Sequence, residues 1–374
     1  MDTPSPSSVI RPVLRLGAES PGRLLLSDAQ ASQTSMNTPR GVFMDSHGLV
    51  VADTGNHRVL IWHSIPTEDG QPADVVLGQP DFLGQGPAAG RISTENGMYT
   101  PSSVLVVDGH LYVADSWHHR ILVWNTRPLK SYQPPDYVIG QPNLLAVEAN
   151  RGGAISATSL YWPYGIAFVA GWLFIADTGN RRVLAWNGLP QPDQAPAFIL
   201  GQDSAETGQE NRGQSVSADS FRWPYAIAGN ADVLYIADSG NHRVLGWSPF
   251  PKQGSPANVV FGQPKFVTSW EFPYGPQGSQ RLRFPSALAV RDQLLAVADM
   301  SNNRVLFWHS LHRDGCFHPA DMVIGQPNFE VNGENRWQAV ESNTLCWPYG
   351  LHFYDNLLLV ADSGNNRVMF WRIE

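Results

Sequence analysis

The feature that most constrains this chain is a motif that recurs six times along it. Ala-Asp, four further residues and Arg appear at Ala52–Arg58, Ala114–Arg120, Ala176–Arg182, Ala237–Arg243, Ala298–Arg304 and Ala361–Arg367, with starts 61 to 63 residues apart. Six such units fill the chain, so its 374 residues are one repeated architecture rather than two or three domains. Each unit holds four short apolar, β-branched runs separated by turn residues. In the second unit these are Val104–Val107, Leu111–Ala114, Arg120–Trp124 and Tyr137–Ile139, the first two joined by Asp108-Gly109-His110.

Four-stranded units repeated radially are the blades of a β-propeller, so the expected fold is all-β with six four-stranded blades. The chain ends after Val368–Trp371, a third strand, while Val13–Gly17 matches the fourth-strand segment Val75–Gly78. The N-terminal outer strand is therefore expected to join the C-terminal blade and close the ring. One domain over residues 1–374 follows, with the Ser- and Pro-rich residues 1–9 expected to be flexible.

Two lengths do not vary. Fourteen residues separate the proline that opens a blade from its repeat Asp, as in Pro39 to Asp53, and twenty-three separate each Gly-Gln from the next such proline, as in Gly78 to Pro101. A long connection held to one length while its sequence changes is expected to be ordered and packed. It shares the top face of the ring with the turn after the second strand and the start of the first. Gly-Gln-Pro itself reads as a turn ending the outer strand.

Hydrophobic residues make up 43% and charged residues 16%, enough for a large core under a lightly charged surface. Net charge is −8, and the only lysines are Lys130, Lys252 and Lys265, so the cations that neutralise nucleic-acid phosphates are scarce. Cys316 and Cys346 have no metal-ligand spacing and read as free thiols. Neither a secretory signal nor a run of some eighteen apolar residues appears, so no membrane association is expected and the default compartment is cytoplasmic.

The repeated Ala-Asp-Thr/Ser-Gly-Asn-x-Arg-Val resembles the NHL repeat, and the likeness covers all six units. The Gly-Gln-Pro connections make the units longer than usual, similar to long-repeat bacterial members of that family. The resemblance implies a propeller and leaves function broad, since such propellers include protein- and RNA-binding modules, sensor domains and a metal-dependent amidating lyase.

The repeated Asp and Arg, once per blade, read as structural, as do Trp62, Trp124, Trp186, Trp247, Trp308 and Trp371. Departures from symmetry carry the functional signal. Trp117 replaces the turn glycine of blade two and is expected to be exposed on the top face, with His118 replacing the turn asparagine. After each blade-opening proline stand Arg40, Ser102, Tyr164, Tyr225, Ser286 and Tyr349, a ring expected around the channel mouth. Blades three, four and six share Trp-Pro-Tyr and an upstream Asn-Arg; before blade five an aromatic segment, Phe272–Gly275, lies shifted upstream.

No Asp or Glu stands in the proline-following ring, which argues against a hard-cation site, and the first strands carry one histidine, His352, where a zinc ligand set needs several. The other histidines are expected on solvated turns and bottom connections; His118-His119 beside Asp115 is the one cluster that invites a metal test. Catalytic residues, metal and cofactor are each expected to be none. The reading is a non-catalytic platform that binds a protein or peptide through Arg40, Tyr164, Tyr225, Tyr349, Trp117 and His118. The alternative is a small ligand, or metal-dependent lyase or hydrolase chemistry, at the channel mouth. RNA binding would need a basic top face built from Arg40, Arg151, Arg212 and Arg336.

Overall fold

A computed structural model describes residues 10–17, 30–272 and 276–374. Six antiparallel sheets form a ring, a six-bladed β-propeller. Blade two consists of Pro101–Val107, His110–Asp115, Arg120–Trp124 and Tyr137–Ile139, paired in that order. The other blades repeat this meander. In the sixth, Pro348–Tyr354, Leu357–Asp362 and Arg367–Ile373 are joined at the outer edge by Ile10–Gly17. Leu14, Arg15 and Leu16 pair with Phe370, Met369 and Val368, so the two ends of the chain close the ring. Residues 1–9, expected to be flexible, lie outside the described residues, as do Pro273–Gly275.

Second and third strands such as Arg58–Trp62 are buried along their whole length. Both faces of each blade are covered by a neighbouring blade, so these strands read as continuous apolar runs instead of alternating ones. Six apolar clusters result, one at each blade-to-blade interface. All six repeat tryptophans lie in them, 1–2% exposed.

The repeat Asp and Arg are both fully buried in every blade, and their ion pairs span 2.6 to 2.9 Å. In blade three, Asp177 Oδ2 accepts from Asn180 and Arg182, and its Oδ1 from the Tyr161 N–H. Arg182 donates onward to Ala205 O, Ser156 O and Ser159 O. Each arginine thus fastens the connections on either side of its blade. The buried Gly-Gln side chain does the same work: Gln141 Nε2 donates to Glu148 O at 2.8 Å and to His118 O at 3.3 Å. These bonds explain why the twenty-three-residue connection tolerates sequence change but not length change.

Blade four carries one addition. Gly315–Cys316, from the third-to-fourth connection of blade five, pairs parallel to its outer strand through Val259 and Val260.

Candidate functional site

The first strand of blades two to six is irregular just after its proline. Register shifts between Pro101 and Ser103, Pro163 and Ile166, Pro224 and Ala226, Pro285 and Ala287, and Pro348 and Gly350. A bulge re-aims the residue it carries. The bulges lie at the ring residues of blades two to six, and with Arg40 of blade one these, Ser102, Tyr164, Tyr225, Ser286 and Tyr349, all line one axial cavity of about 260 Å³. The strands crowd there: a Cβ on Gly350 would stand 1.9 Å from the Arg40 carbonyl oxygen.

The ring does not behave as six equal positions. Ser102 and Ser286 are buried and donate to Tyr164 O at 2.7 Å and Pro348 O at 2.8 Å, so they staple adjacent blades. Tyr164 and Tyr225 stack with centroids 4.1 Å apart. The Arg40 guanidinium lies 4.5 Å from the Tyr349 ring centroid and 5.9 Å from that of Tyr164. Tyr164 is 3% exposed, and burial holds its phenol well above the ordinary range against the opposing pull of Arg40. Burial raises Tyr225 too. Below the ring the wall is apolar, built from residues such as Val42, Leu105, Ile166, Leu288 and Leu351. His352 belongs to that wall: its Nε2 lies 2.8 Å from Met44 O, and burial lowers its pKa to about 4.

Trp117 is 53% exposed on the top face. It belongs to an aromatic track: Tyr99 lies 5.9 Å from Trp117, Trp117 6.4 Å from Trp162, and Trp162 6.0 Å from Tyr225 and 6.1 Å from Tyr164. The rim is thereby linked to the channel mouth. Tyr99, the outer end of the track, emerges only from the fold, whereas Trp162, in its middle, stands in the Trp-Pro-Tyr shared by blades three, four and six.

His118 corrects the sequence expectation. It is buried, and its Nδ1 lies 2.8 Å from Asp115 Oδ2, where the other blades place an asparagine. It belongs to the turn and does not present itself at the mouth. His119 uses its Nδ1 to accept the Trp162 N–H, so the Asp115–His118–His119 cluster has its facing atoms engaged. Among the described residues no group of three or more His, Cys, Asp or Glu is placed to hold a metal ion. Of the four top-face arginines, three are committed internally: Arg151 to Gly140 O and Asp193, Arg212 to Asp203 and Asp219, and Arg336 to Gly325 O and Asn343 O. Arg40 pairs with no carboxylate among the described residues.

No helix of the described residues is long and apolar enough to cross a membrane. The NHL repeat model matches residues 98–124, the segment that carries Tyr99 and Trp117. Human NHL repeat-containing protein 2 is 26% identical over 151 residues, which are 38% of this chain and 19% of that protein; the match thus spans about a fifth of the relative's length. A structural genomics protein of unknown function from Bacteroides thetaiotaomicron superposes with a TM-score of 0.51 at 12% identity, over 98% of this chain and 76% of that one. Virginiamycin B lyase from Staphylococcus aureus gives a TM-score of 0.46 at 12% identity, over 98% and 100% of the two chains. Six four-stranded blades make the chain a six-bladed β-propeller, and the NHL repeat match over residues 98–124 with the similarity to NHL repeat-containing protein 2 supports the NHL β-propeller family.

Proposed function

We propose that this propeller is a non-catalytic binding platform that holds a protein or peptide on its top face. The observation that supports it is the aromatic track from Tyr99 through Trp117 and Trp162 to Tyr225. Tyr99 and Trp117 are exposed and Trp162 and Tyr225 half-buried; exposed apolar surface is characteristic of interaction sites, and Trp and Tyr dominate binding hot spots. The track stands on buried, ion-paired turns, so little conformational freedom is lost when a partner is bound. Arg40 at the inner end supports a second reading, a small ligand at the mouth.

The test replaces track residues by those the repeat itself uses. Trp117→Gly restores the turn glycine of blades one, three, four and six, and Trp162→Thr copies Thr38 and Thr100, which share its left-handed φ near 50°. The double variant is expected to melt like the parent and to lose the partners that the parent retains. Partners kept by this variant but lost on replacing the bottom connection His309–Pro319 would place binding on the other face.

A further inference from the structure

Arg40 sits in a cavity that offers it no counter-charge. Among the described residues no Asp or Glu lines the channel, and the phenols of Tyr164 and Tyr225 are held protonated by burial. The Arg40 Nε has no hydrogen-bond partner among the described residues, and the buried Tyr164 hydroxyl, which lies against the Arg40 side chain, has no acceptor there for its own proton. A desolvated cation without a counter-ion and a desolvated hydroxyl without an acceptor both cost stability in the free protein. The Tyr349 ring offsets part of the first cost and none of the second. The repeat has no need of either group, because Ser102 and Ser286 occupy the same position with their hydroxyls satisfied.

We propose that the channel mouth binds the carboxylate of a small monoanionic ligand, with Arg40 as counter-charge, the Tyr164 hydroxyl as donor and the apolar wall below holding the ligand's body. This rests on the top face being the binding face and names what its centre recognises. One arginine matches one negative charge, and its planar fork suits a carboxylate. The cavity of about 260 Å³ is large enough for a single-ring acid. Such a carboxylate can come from a free organic acid or from the C-terminus of a peptide.

Calorimetry and thermal unfolding with four probes test this: benzoate, benzamide, N-acetylphenylalanine and its amide. Benzoate is expected to bind and raise the melting temperature, while benzamide does neither. Binding of N-acetylphenylalanine as well, but not of its amide, identifies a peptide terminus as an acceptable source; binding of benzoate alone identifies a free acid. Arg40→Ser should weaken benzoate by at least about tenfold, the scale of one charge-assisted contact, while the unliganded variant melts no lower than the parent. Should that variant not fold, Tyr164→Phe serves instead. It keeps the ring stack, and it should melt higher when unliganded and bind benzoate several-fold more weakly. Equal binding of benzamide and benzoate, no response to either acid, or unchanged benzoate affinity in the folded Arg40→Ser variant overturns the assignment. The Trp117→Gly, Trp162→Thr variant separates this site from the platform. Benzoate binding should survive there, and partners retained by that variant would sink the aromatic platform while leaving the carboxylate site standing.

Discussion

The Nδ1 atom of His119 accepts the backbone N–H of Trp162 at 3.1 Å, tying the turn of blade two to the first strand of blade three. The same bond recurs around the ring wherever the turn ends in a residue with an acceptor. His57 holds Thr100, His242 holds Phe284, Asn303 holds Trp347 and Asn366 holds Thr38, at 2.8 to 3.3 Å. All five held residues have left-handed φ of 44° to 52°. Arg181 closes the third turn without an acceptor, and Trp223, which it faces, lacks that φ; its N–H lies 3.4 Å from Asp238 Oδ1 instead.

An Nδ1 that accepts must be unprotonated, which predicts an acid-sensitive ring. Burial lowers the pKa of His57 and His119, and lowers that of His242 to about 4 despite the opposing Glu271. The unfolded value is about 6.5, so the unfolded chain takes up protons first as pH falls. The histidines' contribution is therefore complete above about pH 6.5 and shrinks toward pH 4. Replacing all three by Asn, which the repeat already uses at 303 and 366, keeps the acceptor and removes the titration. Urea midpoints at pH 7, 6, 5 and 4 should fall less steeply in that variant; parallel slopes would refute the role.

Burial of the repeat ion pair makes its loss costlier than a turn hydrogen bond alone. Asp177→Ala leaves the fully buried Arg182 with carbonyl partners but no counter-charge and strands the Tyr161 N–H, while the Asn180 amide keeps only its bonds to Asn150. The expected loss is about 3–5 kcal/mol, as for one partner removed from a buried pair, where turn bonds alone would cost about 1–3 kcal/mol. Urea unfolding measures it, and a loss below about 1 kcal/mol would contradict the pair's structural importance.

Ring closure makes a prediction at Gly17, the counterpart of Gly78. Its φ is +93°, and a Cβ there would stand 2.5 Å from Asn366 O. Gly17→Ala should cost about 1–3 kcal/mol through backbone strain. Removing residues 1–17 should expose the Arg367–Ile373 edge and cause aggregation, visible by light scattering. A truncated chain that melts like the parent would show that the closing strand is dispensable.

The periodic parts of the fold were legible in the sequence. Spacing alone placed the strands of blade two, the closing strand and the six ring residues, because the repeat turns one blade's pattern into a template for the others. Contacts between units, about sixty residues apart, were not legible. Nothing local marks the turn histidines as acceptors for the next blade, so they read as solvated although His242 is buried. His312 and His318 likewise stack at 3.7 Å on the bottom face and pack against Phe261. Gly315–Cys316 pairs as a strand from within the one connection whose length varies, where the repeat offers no template. At the candidate site, Trp117 could be read as exposed because it broke the glycine pattern. The unsatisfied Tyr164 hydroxyl required knowing how closely the first strands converge.

The closing blade also differs from the others at its tryptophan. In blades one to five the indole N–H donates to a carbonyl in the third-to-fourth connection, as Trp186 does to Gln194 O at 2.9 Å. Blade six has no such connection, because its outer strand comes from the other end of the chain and pairs on to Ile10 and Ile373. Trp371 Nε1 is accordingly buried without a hydrogen-bond partner among the described residues. Replacement by Phe removes similar apolar volume at both positions, but leaves the Gln194 carbonyl without its donor in one and removes an unsatisfied donor in the other. Trp371→Phe should therefore be milder than Trp186→Phe by about 1 kcal/mol or more, the net worth of a hydrogen bond plus the relief of an orphaned group. Equal losses in urea unfolding would mean that the indole of blade six finds a partner after all.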